Sequence, residues 1–183
     1  MPLKIAVVAG SLRAGSFNRQ LGAALASLAP ADITLFDVPI GDLPLYNQDD
    51  DAAPAPAVQA FKAAIAGADG VIFVTPEYNR SIPGVLKNAL DHASRPYGQS
   101  VWAGKPAAII GTSPGKTGTA MAQAHLRTIL AFLDMPTLGQ PEAFVEWNDG
   151  LITADGRIGE ASRAYLQGWM DRYAALVRLH TAR

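Results

Sequence analysis

The sequence predicts an α/β fold, a three-layer doubly wound parallel sheet with helices on both faces. Three observations carry this. Short, nearly continuous apolar runs recur at 3–9, 70–75 and 106–110, the pattern of strands buried on both sides. Amphipathic helix patterns separate the strands, so the chain reads βαβαβαβαβα, and right-handed crossovers then restrict the topology. Polar, glycine-containing stretches follow the first, third and fourth strands. In such sheets ligands bind outside the carboxyl ends of the strands, near the point where strand order reverses.

The elements follow in order. Residues 3–9, LKIAVVA, are the first strand, and 18–28 are a helix with Leu21, Ala24, Leu25 and Leu28 on one face. Residues 32–38 read as the second strand. The next stretch, 39–56, PIGDLPLYNQDDDAAPAP, is a long proline- and aspartate-rich connection, and loops of that length inside compact domains are often functional. A helix over 58–66 stops at Gly67. Residues 70–75 are the third strand, and PEYNRSIPG, 76–84, is the polar loop at its end. Pro83 suits the first turn of the next helix, where a missing N–H costs little; Val85, Leu86, Ala89, Leu90 and Ala93 form its apolar face. The fourth strand, 106–110, leads into the loop GTSPGKTGTA and a helix reaching about Leu133. A weaker fifth strand falls between Thr137 and Val145. A last helix, from about Gly159 to Leu179, places Leu166, Trp169, Met170, Tyr173, Leu176 and Val177 on one stripe.

Bulk properties narrow the function. At 183 residues the chain is expected to form one domain, 1–183. It is 49% hydrophobic and 17% charged, with a formal net charge of −1, which gives no electrostatic reason to expect nucleic acid or an anionic membrane as partner. The chain has no cysteine, which excludes disulfides, thiolate metal sites and cysteine nucleophiles. The first apolar run is too short for a signal-peptide core, and none is long enough to span a bilayer. A soluble, cytoplasmic protein is expected.

The first loop, GSLRAGSFNR at 10–19, combines two glycines with Ser11, Arg13, Ser16 and Asn18 and contains no acid. Glycines let the backbone approach a ligand. A helix starting near Ser16 points its free N–H groups and positive dipole end into the loop. Such a set suits a small dense anion, above all phosphate. The simpler alternative is a helix cap by Ser16 beside a solvated arginine. The triphosphate-binding pattern is missing: Ser16 stands where lysine is required, and Gly111 to Thr117 has one residue too few before Gly-Lys-Thr. The dinucleotide fingerprint is absent after the first strand. The second loop, with Pro76, Glu77, Tyr78 and Asn79, offers an aromatic face and amide groups to a flat heteroaromatic ring. Ser113, Gly115 and Gly118 of the third loop offer a hydroxyl and close backbone approach. Phosphate at one loop and a planar ring between two others describe a bound mononucleotide such as FMN.

These stretches carry a resemblance. GSLRAGSFNR, TPEYNRSIPGVLKNALDHASR and TSPGKTG, with DLPLYNQD at 42–49 and AHLRTILAFLD at 124–134, resemble the NAD(P)H-dependent FMN reductase family, in particular its bacterial quinone and chromate reductase branch. The family often carries a double glycine at the end of the third loop; here Gly118 is followed by Thr119. The resemblance implies a flavodoxin-like five-stranded sheet in the order 2-1-3-4-5 and a non-covalently bound FMN. It implies that Ser11, Arg13, Ser16 and Asn18, with backbone at Leu12 and Phe17, hold the phosphate. Pro76, Glu77, Tyr78, Asn79 and Arg80, with Ser113 and Gly115, would border the ring. It also implies NAD(P)H as electron donor, small-molecule acceptors such as quinones and free flavins, and a homodimer or homotetramer packed through the helices beginning at Pro83 and about Ala120. The flavin does the chemistry, so no side chain is expected to act as a catalytic acid or base. Turnover is expected to be ping-pong.

Other candidates read as structure. His92, His125 and His180 fall on three different helices with no carboxylate cluster at ligand spacing. Asp49, Asp50 and Asp51 read as a solvated loop rather than a magnesium site. A flavodoxin-type electron carrier shares the fold, but such carriers favour a threonine-rich phosphate loop and strong acidity, and this chain has neither.

Overall fold

The structure is a computed structural model that describes residues 1–182. Five parallel strands form one sheet in the order β2-β1-β3-β4-β5, the order that the resemblance implies. They are β1 (Leu3–Ala9), β2 (Ile33–Asp37), β3 (Gly70–Val74), β4 (Ala107–Ser113) and β5 (Ala143–Glu146). The helices are α1 (Phe17–Ala24), α2 (Pro56–Ala66), α3 (Gly84–Ala93), α4 (Ala120–Phe132) and α5 (Glu160–Thr181).

Side-chain alternation along the strands builds two cores. Ile5 and Val7 of β1, Ile72 and Val74 of β3 and Ala108 and Ile110 of β4 face α1 and α5. Ala6, Val8, Val71, Phe73, Ala107 and Ile109 face α2, α3 and α4. The expected stripe on α5 is buried at Leu166, Trp169, Met170, Tyr173 and Val177. Gly70 is needed where α5 crosses the sheet: a Cβ there would lie 2.5 Å from the Tyr173 hydroxyl. That hydroxyl donates to the Pro106 carbonyl at 3.2 Å, and burial pushes the phenol well above its ordinary pKa.

Four boundaries differ from expectation. The first helix ends at Ala24 and tightens into a 3₁₀ turn, Leu25–Leu28. There the Ser27 hydroxyl donates back to the Ala24 carbonyl at 2.7 Å, and Pro30 disfavours helix just beyond. Pro83 precedes the helix as its N-cap. β5 begins only at Ala143, with Thr137 contributing an isolated bridge to Ala107. β4 runs three residues past Ile110 to Ser113, because β5 pairs with it over Gly111, Thr112 and Ser113. The first three residues of the apparent third loop are therefore strand. No helix among the described residues is long and apolar enough to cross a membrane.

Candidate functional site: a phosphate cradle and ring shelf at the strand ends

The loops after β1, β3 and β4 emerge together at the carboxyl edge of the sheet. The Gly10 N–H donates to the Val74 carbonyl at 2.9 Å, tying the end of β1 to β3. A Cβ on Gly10 would press on Leu86 at 3.2 Å and Pro76 at 3.3 Å, so β1, the second loop and α3 meet at this glycine.

Ser16 is the N-cap of α1 in extended geometry, accepting from the Arg19 N–H at 3.2 Å. The N–H groups of Phe17 and Asn18 stand in the first turn, where a helix has no internal acceptor. The Ser11 hydroxyl belongs to a residue only 7% exposed and has no hydrogen-bond partner among the described residues. Arg13 is exposed, with its guanidinium 4.9 Å from the centre of the Phe17 ring. This donor set fits a phosphate: free amides at a helix start, an unpartnered hydroxyl on a largely buried serine and the Arg13 cation, with no acid in the loop.

Asn18 takes a different place from the one expected of it as a phosphate donor. It is 4% exposed. Its amide nitrogen donates to the Thr112 carbonyl at 2.8 Å, and its amide oxygen accepts from the Thr112 N–H at 3.0 Å. β3 pairing ends at Val74, while β4 continues, so that edge of Thr112 would otherwise be unpaired. The Asn18 side chain serves as a one-residue extension of β3, and its backbone N–H remains for a ligand.

The second loop is a tight hairpin. Tyr78 and Ser81 exchange backbone hydrogen bonds at 3.0 and 3.1 Å, and the turn residues Asn79 and Arg80 have φ of 51° and 69°. Two bolts fasten the hairpin to α4. One Glu77 carboxylate oxygen accepts from the Met121 and Ala122 N–H groups at 3.0 and 3.1 Å, and the Ser81 hydroxyl lies 3.0 Å from His125 Nδ1. α4 has no side-chain cap from its own N-cap residue, Thr119, so Glu77 supplies one from across the chain. The only acid among the three loops thus faces a helix N-terminus, while Tyr78, Asn79 and Arg80 are exposed at the rim.

In the third loop the Ser113 hydroxyl donates to the Gly118 carbonyl at 2.7 Å and accepts from the Gly115 N–H at 3.2 Å. It organises its own loop. Gly118 has φ +56°, and a Cβ there would sit 2.9 Å from the Phe144 carbonyl carbon. Thr119 is accommodated by Gly111: a Cβ on Gly111 would lie 2.0 Å from the Thr119 hydroxyl. The threonine fills the space that the strand glycine leaves.

Several side chains take roles here that were not expected from sequence. Trp147, just past β5, stacks on Phe17 with ring centres 4.1 Å apart. Asn88 and His92 of α3 pin the long 39–56 connection: Asn88 accepts from the Tyr46 N–H at 2.8 Å and donates to the Pro44 carbonyl at 2.7 Å, and His92 Nε2 lies 2.8 Å from that same carbonyl. A signal existed, since the two are four residues apart and so share one face of the helix. A cavity of about 440 Å³ between α1 and β2 meets the first loop at Ala14, Ser16 and Arg19. A second of about 440 Å³ lies under the 39–56 connection, lined by Tyr46, Lys62, His92 and Arg95. The groups suited to a phosphate, the free amides and the unpartnered Ser11 hydroxyl, lie at the rim rather than in either cavity.

The family model for NADPH-dependent FMN reductase matches residues 3–149. The chain belongs to the NADPH-dependent FMN reductase family. Within the family, it is 60% identical over 179 residues to a 2-hydroxy-1,4-benzoquinone reductase of Burkholderia sp., covering 97% of this chain and 98% of that protein. It is 49% identical over 179 residues to a quinone reductase of Pseudomonas putida, covering 97% and 96%. Among solved structures it is similar to FerB, a flavoenzyme NAD(P)H:(acceptor) oxidoreductase from Paracoccus denitrificans, with a TM-score of 0.93 at 43% identity over 97% of this chain and 98% of that one.

Proposed function

We propose that this protein is an FMN-dependent NAD(P)H oxidoreductase that reduces quinones in a ping-pong cycle. The observation that carries the reading is the acid-free donor set at the start of α1, set beside an exposed hairpin, in a family member that shares 60% of its residues with a 2-hydroxy-1,4-benzoquinone reductase. When bound, FMN supplies the electron transfer between nicotinamide and acceptor. The chain's own residues bind and orient. Ser11, Arg13 and the amides of Leu12, Phe17 and Asn18 hold the phosphate, with Ser16 shaping the helix start. Pro76, Glu77, Tyr78, Asn79 and Arg80 border the ring on one side, and Ser113 and Gly115 on the other. Bound there, the flavin would serve donor and acceptor in turn, so no protein acid or base need touch either.

The same reading includes a homodimer or homotetramer. Its support is the outward stripe on α4, where Met121 and Phe132 are exposed on one helical face, beside the exposed Tyr78. The enzyme then works in the cytoplasm, where NAD(P)H is supplied.

Steady-state kinetics test the proposal. The purified protein is expected to be yellow and to oxidise NAD(P)H with a benzoquinone, giving parallel double-reciprocal lines at several quinone concentrations. Intersecting lines across several acceptors would remove the shared site. A yellow protein that does not oxidise NAD(P)H would leave a flavodoxin-type electron carrier instead.

A further inference from the structure

We propose that Trp147 is a positioning residue of the phosphate cradle: its indole holds the Phe17 ring, and that ring holds the Arg13 guanidinium over the loop. The proposal rests on the reading that residues 10–18 hold the FMN phosphate.

Three layers lie in sequence. The Trp147 and Phe17 rings are stacked, with centres 4.1 Å apart and planes 19° from parallel. On the Phe17 ring lies the Arg13 guanidinium, with its central carbon 4.9 Å from the ring centre. A Cβ on Gly15 would come within 3.8 Å of an Arg13 terminal nitrogen, so the guanidinium folds back across the loop. The base of the stack is fixed, because the Trp147 N–H donates to the Ser113 carbonyl at 2.8 Å, continuing the β4–β5 ladder. Arg13 makes no ion pair among the described residues. The stack is therefore what selects its conformation.

The physical consequence concerns the cost of binding. A free arginine on a glycine-bounded loop samples many rotamers, and ordering it against a phosphate forfeits that freedom. Guanidinium–aromatic stacking places the fork near its working position beforehand. Trp147 need not touch the ligand to act in this way. The competing role is packing alone, since Trp147 also covers part of the core beneath α1 and α5.

The two roles differ in one readout. Pre-placing Arg13 favours ligands that carry phosphate, whereas packing affects every flavin alike. The test titrates the full chain, freed of flavin, with FMN and with riboflavin. The variants are Trp147→Ala, Trp147→Leu, Trp147→Phe and Arg13→Ala, and the melting temperature of each is recorded. Trp147→Ala and Trp147→Leu are expected to weaken FMN by about three- to tenfold while riboflavin moves by less than about twofold. Trp147→Phe keeps an aromatic face and is expected to stay within about twofold of wild type for both ligands. Adding Trp147→Ala to Arg13→Ala should cause little further loss of FMN affinity, because the two act through one guanidinium. Should the alanine variant not fold, the leucine and phenylalanine variants read the same ratio. An FMN-to-riboflavin ratio unchanged in the leucine variant overturns the proposal, whether both affinities fall together or neither moves. If Arg13→Ala also leaves the ratio unchanged, the phosphate reading of the loop fails with it. If Arg13→Ala lowers the ratio and the Trp147 variants do not, only this inference fails.

Discussion

The loop after β1 and the hairpin after β3 border one rim but are anchored in opposite directions. The first is stitched inward, to the sheet, by neutral groups: the buried Asn18 amide on the Thr112 backbone and the half-buried Phe17 ring on Trp147. The second is stitched outward, to α4, by the Glu77 carboxylate and by Ser81 against His125. The first loop is thus tied to the central strands and the hairpin to a surface helix, α4, which is also the helix offered above for subunit contact. A ligand held by both has its phosphate referenced to the core and its ring surroundings referenced to the surface. On the proposed function, that division would let the ring's surroundings adapt to varied acceptors while the cofactor keeps its seat.

The largest effect should come from cutting the inward anchor. Asn18→Ala strands both backbone groups of Thr112 in a buried place, and unsatisfied buried polar groups cost about 1–3 kcal/mol each. Unfolding in urea is expected to show a loss of about 2–4 kcal/mol, and FMN and riboflavin should weaken together. A loss below about 0.5 kcal/mol would mean that water replaces the amide and the loop is not core-anchored.

Cutting the outward anchor should cost less. Glu77→Ala removes the only side-chain cap on the first turn of α4, a change of about 1 kcal/mol in stability. Freed of its bolt, the hairpin is expected to raise KM for quinone more than it lowers FMN affinity. Glu77→Gln retains an acceptor oxygen and should fall between wild type and alanine on both measures. Were FMN affinity to fall further than in Asn18→Ala, the contrast between the two anchors would collapse.

The smallest effect serves as a control remote from the rim. The Arg178 guanidinium hydrogen-bonds the exposed Asp32 carboxylate at 2.9 and 2.7 Å and holds it below the usual carboxylate range, against a slight upward push from burial. Because the folded value is the lower one, this pair contributes stability above the ordinary carboxylate range and loses it as pH falls through the depressed value. Asp32→Asn should lower the melting temperature slightly near neutral pH, by less than either rim variant. The difference from wild type should vanish in strong acid. A shift as large as that of Glu77→Ala would show that removing any surface carboxylate is enough, and that the Glu77 result says nothing about the hairpin.

Much of this could be read from the sequence, because the determining forces are local. Strand and helix periodicities follow from which residues share a face, and the alternation of elements with short connections dictates a doubly wound sheet. Glycine, serine and arginine ahead of a helix announce an anion site without knowledge of any neighbour. What the tertiary structure alone decided is where each rim side chain spends its hydrogen bonds. Asn18 reads as a ligand donor until sheet order brings Thr112 alongside it. Glu77 shows no second role in the sequence until α4 begins within reach of its carboxylate. Ser113 reads as loop until β5 pairs with it, and Trp147 is an ordinary aromatic until β5 ends beside the start of α1. None of these partners lies near its mate along the chain, and a hydrogen-bonding group carries no mark of which distant partner will reach it first. The sheet order set those meetings, and with them the division of the rim into a loop tied to the core and a hairpin tied to the surface.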